Sequence, residues 1–185
     1  MIYSEEILGY GSVMEDYRTA QEAPVRLSII IVSMGRDELL DACIASIGEF
    51  VSVPYEIIVV NNSAQALGYD GWPALCCLEN GKNLGFARAV NRGIRESKGD
   101  MVLLLNPDAC FTSDIVSEMV SFLDEHERAG IAGPQLIFPD GSSQNSVDII
   151  PNLLTEFLNK SLLKILLPGA YPSKRSGFTR PVRVP

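Results

Sequence analysis

The 185-residue chain is 46% hydrophobic and 21% charged, as expected for one globular domain, and its net charge of -8 argues against nucleic acid as the main partner. The polar, acidic start of the chain and the lack of an apolar run of about 18 residues predict no secretory signal and no membrane span, so we expect a cytoplasmic protein. Four cysteines without metal-ligand spacing are interpreted as reduced thiols in or near the core: Cys43, Cys76, Cys77 and Cys110.

Runs of aliphatic residues alternate with amphipathic stretches along the middle of the sequence. Dense β-branched runs predict buried strands, and apolar residues at helical spacing predict helices. The predicted elements, in chain order, are strand 27–32, helix 37–50, strand 55–60, strand 74–78, a helix from about 85 to 97, strand 101–105, helix 113–127 with Ser113 as its N-cap, and a strand at 131–138 followed by a turn. This alternation predicts an α/β fold with a mostly parallel sheet and helices on both faces.

Composition divides the sequence into three parts. They are an extension at residues 1–24, the α/β domain at residues 25–150, and an amphipathic helix with a basic tail at residues 151–185. The apolar stripe within residues 153–167 suits packing on a protein, including a second copy of the chain, and it also suits peripheral membrane contact. Protein packing is favoured, because Lys160 and Lys164 give the stripe only a thin basic border.

Polar residues follow the predicted strands at the points where the strands end. They are Ser33 after the first strand, Asn61, Asn62 and Ser63 after the second, Asn83 and Gly85 before a helix with free N–H groups, and Asn106 and Asp108 after the fourth strand. Because the carboxyl ends of parallel strands meet at one edge, these groups are expected to converge on one crevice. Amides and hydroxyls suit a base and ribose, and a carboxylate with a divalent cation suits a diphosphate. The alternative for each is a local turn or cap.

Six short segments carry a more specific pattern. They are residues 27–32 (LSIIIV), 57–63 (IIVVNNS), 83–94 (NLGFARAVNRGI), 99–108 (GDMVLLLNPD), 133–136 (GPQL) and 139–142 (PDGS). Their order and spacing resemble glycosyltransferase family 2, and within it the rhamnosyltransferase-like subgroup. The resemblance extends from about residue 26 to residue 147.

This resemblance implies a GT-A type, Rossmann-like fold that is incomplete on its C-terminal side, and a nucleotide-sugar donor of the UDP or dTDP type with Mg²⁺ or Mn²⁺. Asp108 then matches the last residue of the family's metal motif, and Asn106 stands where many relatives have aspartate. Asn61 stands where the family has an aspartate that contacts the donor base. Its amide oxygen accepts the same hydrogen bond without the charge. The implied acceptor is a saccharide or a lipid-linked saccharide in cell-surface polysaccharide synthesis, which is compatible with the inner membrane face.

Two further side chains, one after the first strand and one in the loop after the second, are given structural rather than ligand-binding interpretations. Arg36 is interpreted as a solvated residue at a helix start, with phosphate binding as the alternative. Tyr69 is interpreted as a loop anchor rather than as a stacking partner for a base or sugar.

The resemblance assigns no catalytic residue within this sequence. In the family, the carboxylate that takes the acceptor's proton lies in an acidic motif that we expect beyond Pro185, and Asp140 is interpreted as a turn residue. Three functions therefore stay open. They are the donor-binding half of a glycosyltransferase, a non-catalytic relative that binds nucleotide or a partner, and a nucleotidyltransferase-like protein, which is disfavoured because no basic Gly-rich loop is present.

Overall fold

The computed structural model describes residues 24–69, 74–138 and 140–144. The chain divides into two compact units, Met1–Gly130 and Ile131–Pro185. The helices and strands of the first unit are β1 (Leu27–Ser33), α1 (Glu38–Phe50), β2 (Tyr55–Asn61), β3 (Leu75–Glu79), α2 (Phe86–Glu96), β4 (Met101–Leu105) and α3 (Ile115–Glu125). The predicted elements of this unit are therefore confirmed in type and order, with ends that differ by one or two residues.

The four strands form one parallel sheet in the order β3-β2-β1-β4. Ile31 at the centre of the sheet pairs with Val59 of β2 on one side and with Leu105 of β4 on the other. The chain moves outward from β1 to β3 and then returns to place β4 on the opposite side of β1. The order of the strands thus reverses at the boundary between β1 and β4.

Helices cover both faces of the sheet, as the alternation of strands and helices predicts. On one face, Ile29, Ile31 and Val59 pack in a core with apolar residues of α1 and α3. On the other face, Ile30 and Val60 pack against α2 through a smaller group of buried residues. Because β1 and β2 are buried on both faces, every position in their centres is apolar, which is the pattern of an internal parallel strand.

The predicted N-cap of α3 is wrong by one residue. The helix begins after Asp114, whose Oδ1 accepts a hydrogen bond from the Ser117 backbone N–H at 3.1 Å. The Asp114 carboxylate also accepts hydrogen bonds from the hydroxyls of Ser52 and Ser117, at 2.5 Å and 2.7 Å. Ser113, with a single hydroxyl, is displaced from the cap by a neighbour whose carboxylate satisfies three donors at once.

The described part of the second unit contains a short hairpin-like contact instead of the predicted strand at residues 131–138. Ile137 and Ser143 form one antiparallel bridge, and the Phe138 N–H donates to the Ser142 carbonyl oxygen at 2.8 Å. Asp140 Oδ1 accepts hydrogen bonds from the backbone N–H and the hydroxyl of Ser142, which confirms Asp140 as a turn residue. Ile131 is 91% exposed and belongs to no strand.

All four cysteines are free thiols, as predicted, but only Cys43 is fully buried. Cys76 and Cys110 are exposed, so the prediction that all four lie in or near the core is wrong for these two. Within the ranges described above, no helix is long and apolar enough to cross a membrane. The predicted N-terminal extension, the amphipathic stretch at residues 153–167 and the basic tail lie outside the described residues, and the domain limits at residues 24 and 150 stay predictions.

Candidate functional site

The reversal of strand order between β1 and β4 creates the topological switch point of the sheet. Beyond the carboxyl ends of two such strands, the following chain segments leave in opposite directions and open a crevice, which is where open α/β sheets bind ligands. The turn after β1 contains Arg36, and the turn after β4 contains Asn106 and Asp108. These residues therefore border the switch point.

Asp108 lies in a tight turn that the sequence specifies locally. The Ala109 N–H donates to the Asn106 carbonyl oxygen at 3.2 Å, and Pro107 occupies the second position of the turn, where its fixed φ is favourable. Both Asn106 and Asp108 are exposed, and among the described residues the Asp108 carboxylate has no hydrogen-bond or ion-pair partner. The turn thus presents one carboxylate to solvent at the switch point.

The Cys43 thiol lies against this turn and is affected by its charge. The thiol donates to the Asn106 carbonyl oxygen, with Sγ 3.5 Å from that oxygen. Burial raises the pKa of the Cys43 thiol to about 12, with smaller contributions from Cys110 and from the negative charge of Asp108. The pKa of Cys110 is also raised, mainly because the thiol of this otherwise exposed residue is partly buried, although a hydrogen bond with Ser46 opposes the shift. Both thiols are therefore protonated at neutral pH.

At the end of β2, the buried Asn61 side chain uses all of its hydrogen-bonding groups within the protein. Its Oδ1 accepts from the Ser63 backbone N–H at 2.9 Å. Its Nδ2 donates to the Gln65 carbonyl oxygen and to Glu79 Oε2, both at 2.6 Å. Asn61 is 0% exposed, whereas Ser63 is half-buried and Glu79 is exposed.

The next residue, Asn62, connects the sheet to the start of α2. Its backbone N–H donates to the Ser33 carbonyl oxygen at 2.7 Å, which joins the ends of β1 and β2. Its Oδ1 accepts from Asn80 Nδ2 at 2.7 Å and from the Leu84 N–H at 3.4 Å. The side chain is 2% exposed, so Asn62 positions the loop that precedes α2.

The remaining predicted donor-binding residues differ in accessibility. Ser33 is 4% exposed, and its hydroxyl donates to the Gly35 carbonyl oxygen. Asn83 and Gly85 are exposed, and Asn83 Oδ1 accepts from the Gly85 N–H at 2.8 Å. Gly85 has a φ of 83°, a conformation that favours glycine, and it begins α2 without a side-chain cap. Its neighbour Phe86 is 61% exposed.

A cluster of Arg36, Asp41 and Tyr69 beside the switch point was not predicted. Arg36 Nε donates to both carboxylate oxygens of Asp41, at 3.0 Å and 3.2 Å, and its Cζ lies 4.3 Å from the centre of the Tyr69 ring. The Tyr69 hydroxyl donates to Asp41 Oδ1, and the ring is 4% exposed, which confirms Tyr69 as a loop anchor. Burial and this hydrogen bond raise the pKa of the Tyr69 hydroxyl. Arg36 is exposed just before α1, which agrees with its interpretation as a solvated residue at a helix start, and its guanidinium also contacts Asp41 and Tyr69.

The fold thus brings together all the strand ends that the sequence singles out, but it leaves only some of their side chains open. The side chains of Ser33, Asn61 and Asn62 are buried in the sheet edge, whereas Asn83, Asn106 and Asp108 are exposed. In the part of the chain that the structure describes, no group of three or more His, Cys, Asp or Glu side chains is placed to hold a metal ion. Asp108 is therefore a single carboxylate rather than part of a complete protein cage.

A family model, Glycosyl transferase family 2, matches residues 28–183 of the chain. The chain therefore belongs to glycosyl transferase family 2, and the resemblance found in the sequence is confirmed.

Curated relatives agree with this assignment. The uncharacterized glycosyltransferase YwdF of Bacillus subtilis is 32% identical over 106 residues, which are 54% of this chain and 39% of that protein. The N-acetylglucosaminyl-diphospho-decaprenol L-rhamnosyltransferase of Mycobacterium tuberculosis is 26% identical over 143 residues, which are 69% of this chain and 47% of that protein. The chain spans less than half the length of either relative.

Solved structures confirm the fold. The crystal structure of Staphylococcus aureus TarS 1–349 in complex with UDP-GlcNAc has a TM-score of 0.50 and 18% identity, and the match covers 62% of this chain and 38% of that one. The mannosyltransferase PcManGT from Pyrobaculum calidifontis, in complex with GDP-Man and Mn²⁺, has a TM-score of 0.50 and 20% identity, with 71% and 45% coverage. The parallel sheet is thus that of a GT-A glycosyltransferase, as the sequence implied.

Proposed function

We propose that this chain forms the donor-binding part of a glycosyltransferase that holds a nucleotide-diphosphate sugar at the carboxyl edge of its sheet. The observation that carries the proposal is the exposed Asp108 carboxylate at the topological switch point between β1 and β4. A diphosphate bound there lies outside the strand ends, where both bordering turns contact it.

The chemistry of Asp108 fits Mg²⁺ or Mn²⁺ shared with the donor. These cations take oxygen ligands, keep several waters, and are held in many enzymes by one or two carboxylates together with substrate phosphates. A single exposed carboxylate without another partner among the described residues meets that requirement. When bound, such a cation neutralises charge on the diphosphate and favours its departure from the sugar.

The donor is proposed to be of the UDP or dTDP type. The TarS structure that shares this fold is bound to UDP-GlcNAc, whereas PcManGT is bound to GDP-Man with Mn²⁺, so the fold accommodates more than one base. The exposed side chains of Asn83 and Asn106 offer amide groups to ribose or phosphate from either side of the crevice. The buried residues Ser33 and Asn62 would contribute indirectly, by positioning the turn after β1 and the loop before α2.

The acceptor is proposed to be a saccharide, free or linked to a lipid. The mycobacterial relative is named as a rhamnosyltransferase with a lipid-diphosphate acceptor. We propose that an acceptor of this kind brings the chain to the cytoplasmic face of a membrane. Transfer of a rhamnosyl or hexosyl group in cell-surface polysaccharide synthesis is the corresponding reaction.

A second candidate is a relative that binds nucleotide without transferring sugar. The observation that favours it is the amide at residue 61, because Asn61 is enclosed by internal hydrogen bonds and carries no charge. Both candidates require the nucleotide site. Transfer of radiolabelled sugar from a donor to lipid-linked acceptors separates them.

Titration calorimetry with UDP, in the presence and absence of Mn²⁺, tests the proposal. We expect Mn²⁺ to strengthen UDP binding by about tenfold or more in the unaltered chain, and Asp108→Asn to remove that gain. Asp100→Asn is the matched control. Asp100 immediately precedes β4, at the opposite end of the strand, and its exposed ion pair with Arg26 contributes little to stability.

Each outcome of this titration has a definite meaning. Loss of the Mn²⁺ effect in Asp108→Asn alone supports the proposed site. An unchanged Mn²⁺ effect in Asp108→Asn, or an equal loss in Asp100→Asn, contradicts the assignment of Asp108. Absence of UDP binding under all conditions contradicts the proposed function itself.

A further inference from the structure

The side chains of Asn61 and Glu79 form a hydrogen-bonded pair across the ends of β2 and β3. Asn61 Nδ2 donates to Glu79 Oε2 at 2.6 Å, and the Leu67 backbone N–H donates to Glu79 Oε1 at 3.0 Å. Asn61 also holds Ser63 and Gln65 by the contacts described above. The pair therefore fixes the chain between residues 62 and 67 from two sides.

This pair explains why an amide, rather than a carboxylate, occupies position 61. A carboxylate there has no proton to donate to the Gln65 carbonyl oxygen or to Glu79. A carboxylate at position 61 would instead lie at hydrogen-bond distance from the Glu79 carboxylate, so that two negative charges would face each other where residue 61 is 0% exposed. The amide at residue 61 and the carboxylate at residue 79 are thus complementary, and the acidic group of the pair lies on β3.

We propose that this pair reads the nucleobase of the donor, with Glu79 as the hydrogen-bond acceptor and Asn61 as the residue that positions it. The inference rests on the proposed function and specifies which residue discriminates between bases. Each oxygen of Glu79 receives one hydrogen bond from the protein, which leaves lone pairs free, and the side chain is exposed. Asn61 is 0% exposed and therefore cannot contact a ligand itself.

The acceptor at Glu79 selects for a base whose pairing edge carries an imide N–H. Uracil, thymine and guanine have such a group, whereas cytosine and adenine present an unprotonated ring nitrogen at that position. A carboxylate facing that ring nitrogen is unfavourable, because two acceptors then meet without a proton. UDP is therefore preferred over CDP, which has nearly the same size.

The position of the pair suits an extended nucleotide. β3 is three strands away from β4 in the sheet order, which is about 14 Å at the usual spacing of about 4.8 Å between strands. A nucleoside diphosphate with its phosphates at Asp108 can thus extend along the strand ends and bring its base to the region of Glu79. Arg92 donates to the Glu79 carbonyl oxygen at 2.8 Å and holds the end of β3 in place.

Competitive titration with UDP and CDP on the full chain measures the discrimination. We expect the unaltered chain to bind UDP about tenfold or more tightly than CDP, and Glu79→Gln to lower that ratio to about threefold or less. Glu96→Gln, at the exposed end of α2, is the matched control and should keep the ratio. A purely structural role of Glu79 would weaken both nucleotides equally, so an unchanged ratio in Glu79→Gln overturns the inference. If the unaltered chain binds neither nucleotide, the proposed function fails with it.

A stability measurement tests the pairing without any ligand. Asn61→Asp should lower the urea midpoint more at about pH 8 than at about pH 5, because two carboxylates that share a buried site retain one proton at the lower pH and lose it at the higher pH. The pair of changes Asn61→Asp and Glu79→Gln removes the second carboxylate, although residue 61 still lacks a donor for the Gln65 carbonyl oxygen, so it should reduce that pH dependence. Equal midpoints for Asn61→Asp at the two pH values, or the same pH dependence in the double variant, overturn the role of Asn61 as the positioning residue.

Discussion

Cys43 connects the core of the sheet with the turn that carries Asp108. Its thiol is buried, lies 3.5 Å from the Asn106 carbonyl oxygen, and has a pKa of about 12, chiefly because burial disfavours the thiolate. An unfolded cysteine ionises at about pH 8.5. Between these two values the unfolded chain releases a proton that the folded chain retains, so folding stability falls as pH rises through this range.

We therefore predict that Cys43→Ala reduces the alkaline loss of stability. The free energy of unfolding, measured with urea at about pH 8 and about pH 10, should fall less between these pH values in Cys43→Ala than in the unaltered chain. The variant should also be less stable overall, because a cavity replaces the sulfur. Cys76→Ala is the control, since Cys76 is exposed. An identical pH dependence in Cys43→Ala and the unaltered chain would refute the prediction.

The side chains of the site illustrate what a sequence reveals about single residues. Asp108 was predicted because it directly follows an apolar strand, a local signal. The contacts of Arg36 could not be predicted, because its stacking partner, Tyr69, lies in a different loop much further along the chain. The same holds for the hydrogen bond between Asn61 and Glu79, which joins the ends of two different strands. Contacts across strand ends need the sheet order, which residue patterns alone do not provide.

At the scale of elements, the start of α3 offers a direct comparison between the predicted and the observed cap. Asp114→Ala should lower the free energy of unfolding by about 1–2 kcal/mol, because the Ser117 N–H loses its acceptor. Ser113→Ala should change it by less than about 0.5 kcal/mol, since Ser113 is exposed and does not cap the helix. Urea unfolding of both variants measures the difference. A larger effect at Ser113 than at Asp114 would contradict the observed cap.

The close approach of α2 to the sheet depends on a glycine. A Cβ atom added at Gly93 would lie 2.7 Å from Ile30 Cγ2 and 3.3 Å from Val60 Cγ2, so either the buried Ile30 side chain or the helix must shift. We predict that Gly93→Ala lowers the free energy of unfolding by about 1–2 kcal/mol, even though alanine favours helices. At Gly130, an added Cβ meets nothing within 4 Å, so Gly130→Ala should be nearly neutral. Equal unfolding midpoints for the two variants would contradict the prediction that the contact with Ile30 makes a side chain at residue 93 destabilising.

The same elements show which parts of the fold follow from sequence patterns. The cores of β1 and β2 are continuous apolar runs, so their type and parallel pairing could be predicted. The choice between Ser113 and Asp114 as the N-cap could not be predicted, because both residue types are good caps. Asp114 is favoured by a hydrogen bond from the Ser52 hydroxyl, which lies just after α1 and far from α3 in the sequence. The apolar residues at 131–138 resemble a strand, but only Ile137 has a bridge partner in the described part of the chain.

At the scale of the whole molecule, charge and topology impose opposite conditions on the proposed ligand. The sheet order places the crevice at the ends of β1 and β4, but the net charge of the chain is -8, which disfavours an anionic diphosphate. A divalent cation at the proposed Asp108 site would relieve this repulsion. Nucleotide binding should therefore depend on the cation, and the cation should lie at the carboxyl edge rather than at the amino edge.

Paramagnetic broadening of backbone amide signals by Mn²⁺ with UDP tests this requirement most directly. Asp108 and Asp100 are at opposite ends of β4, a five-residue strand that spans about 17 Å, so their amide signals report on separate edges of the sheet. We predict much stronger broadening at Asp108 and Ala109 than at Asp100 and Arg26, because the effect falls steeply with distance from Mn²⁺. Broadening at Asp100 and Arg26 with sharp signals at Asp108 and Ala109 would contradict the account.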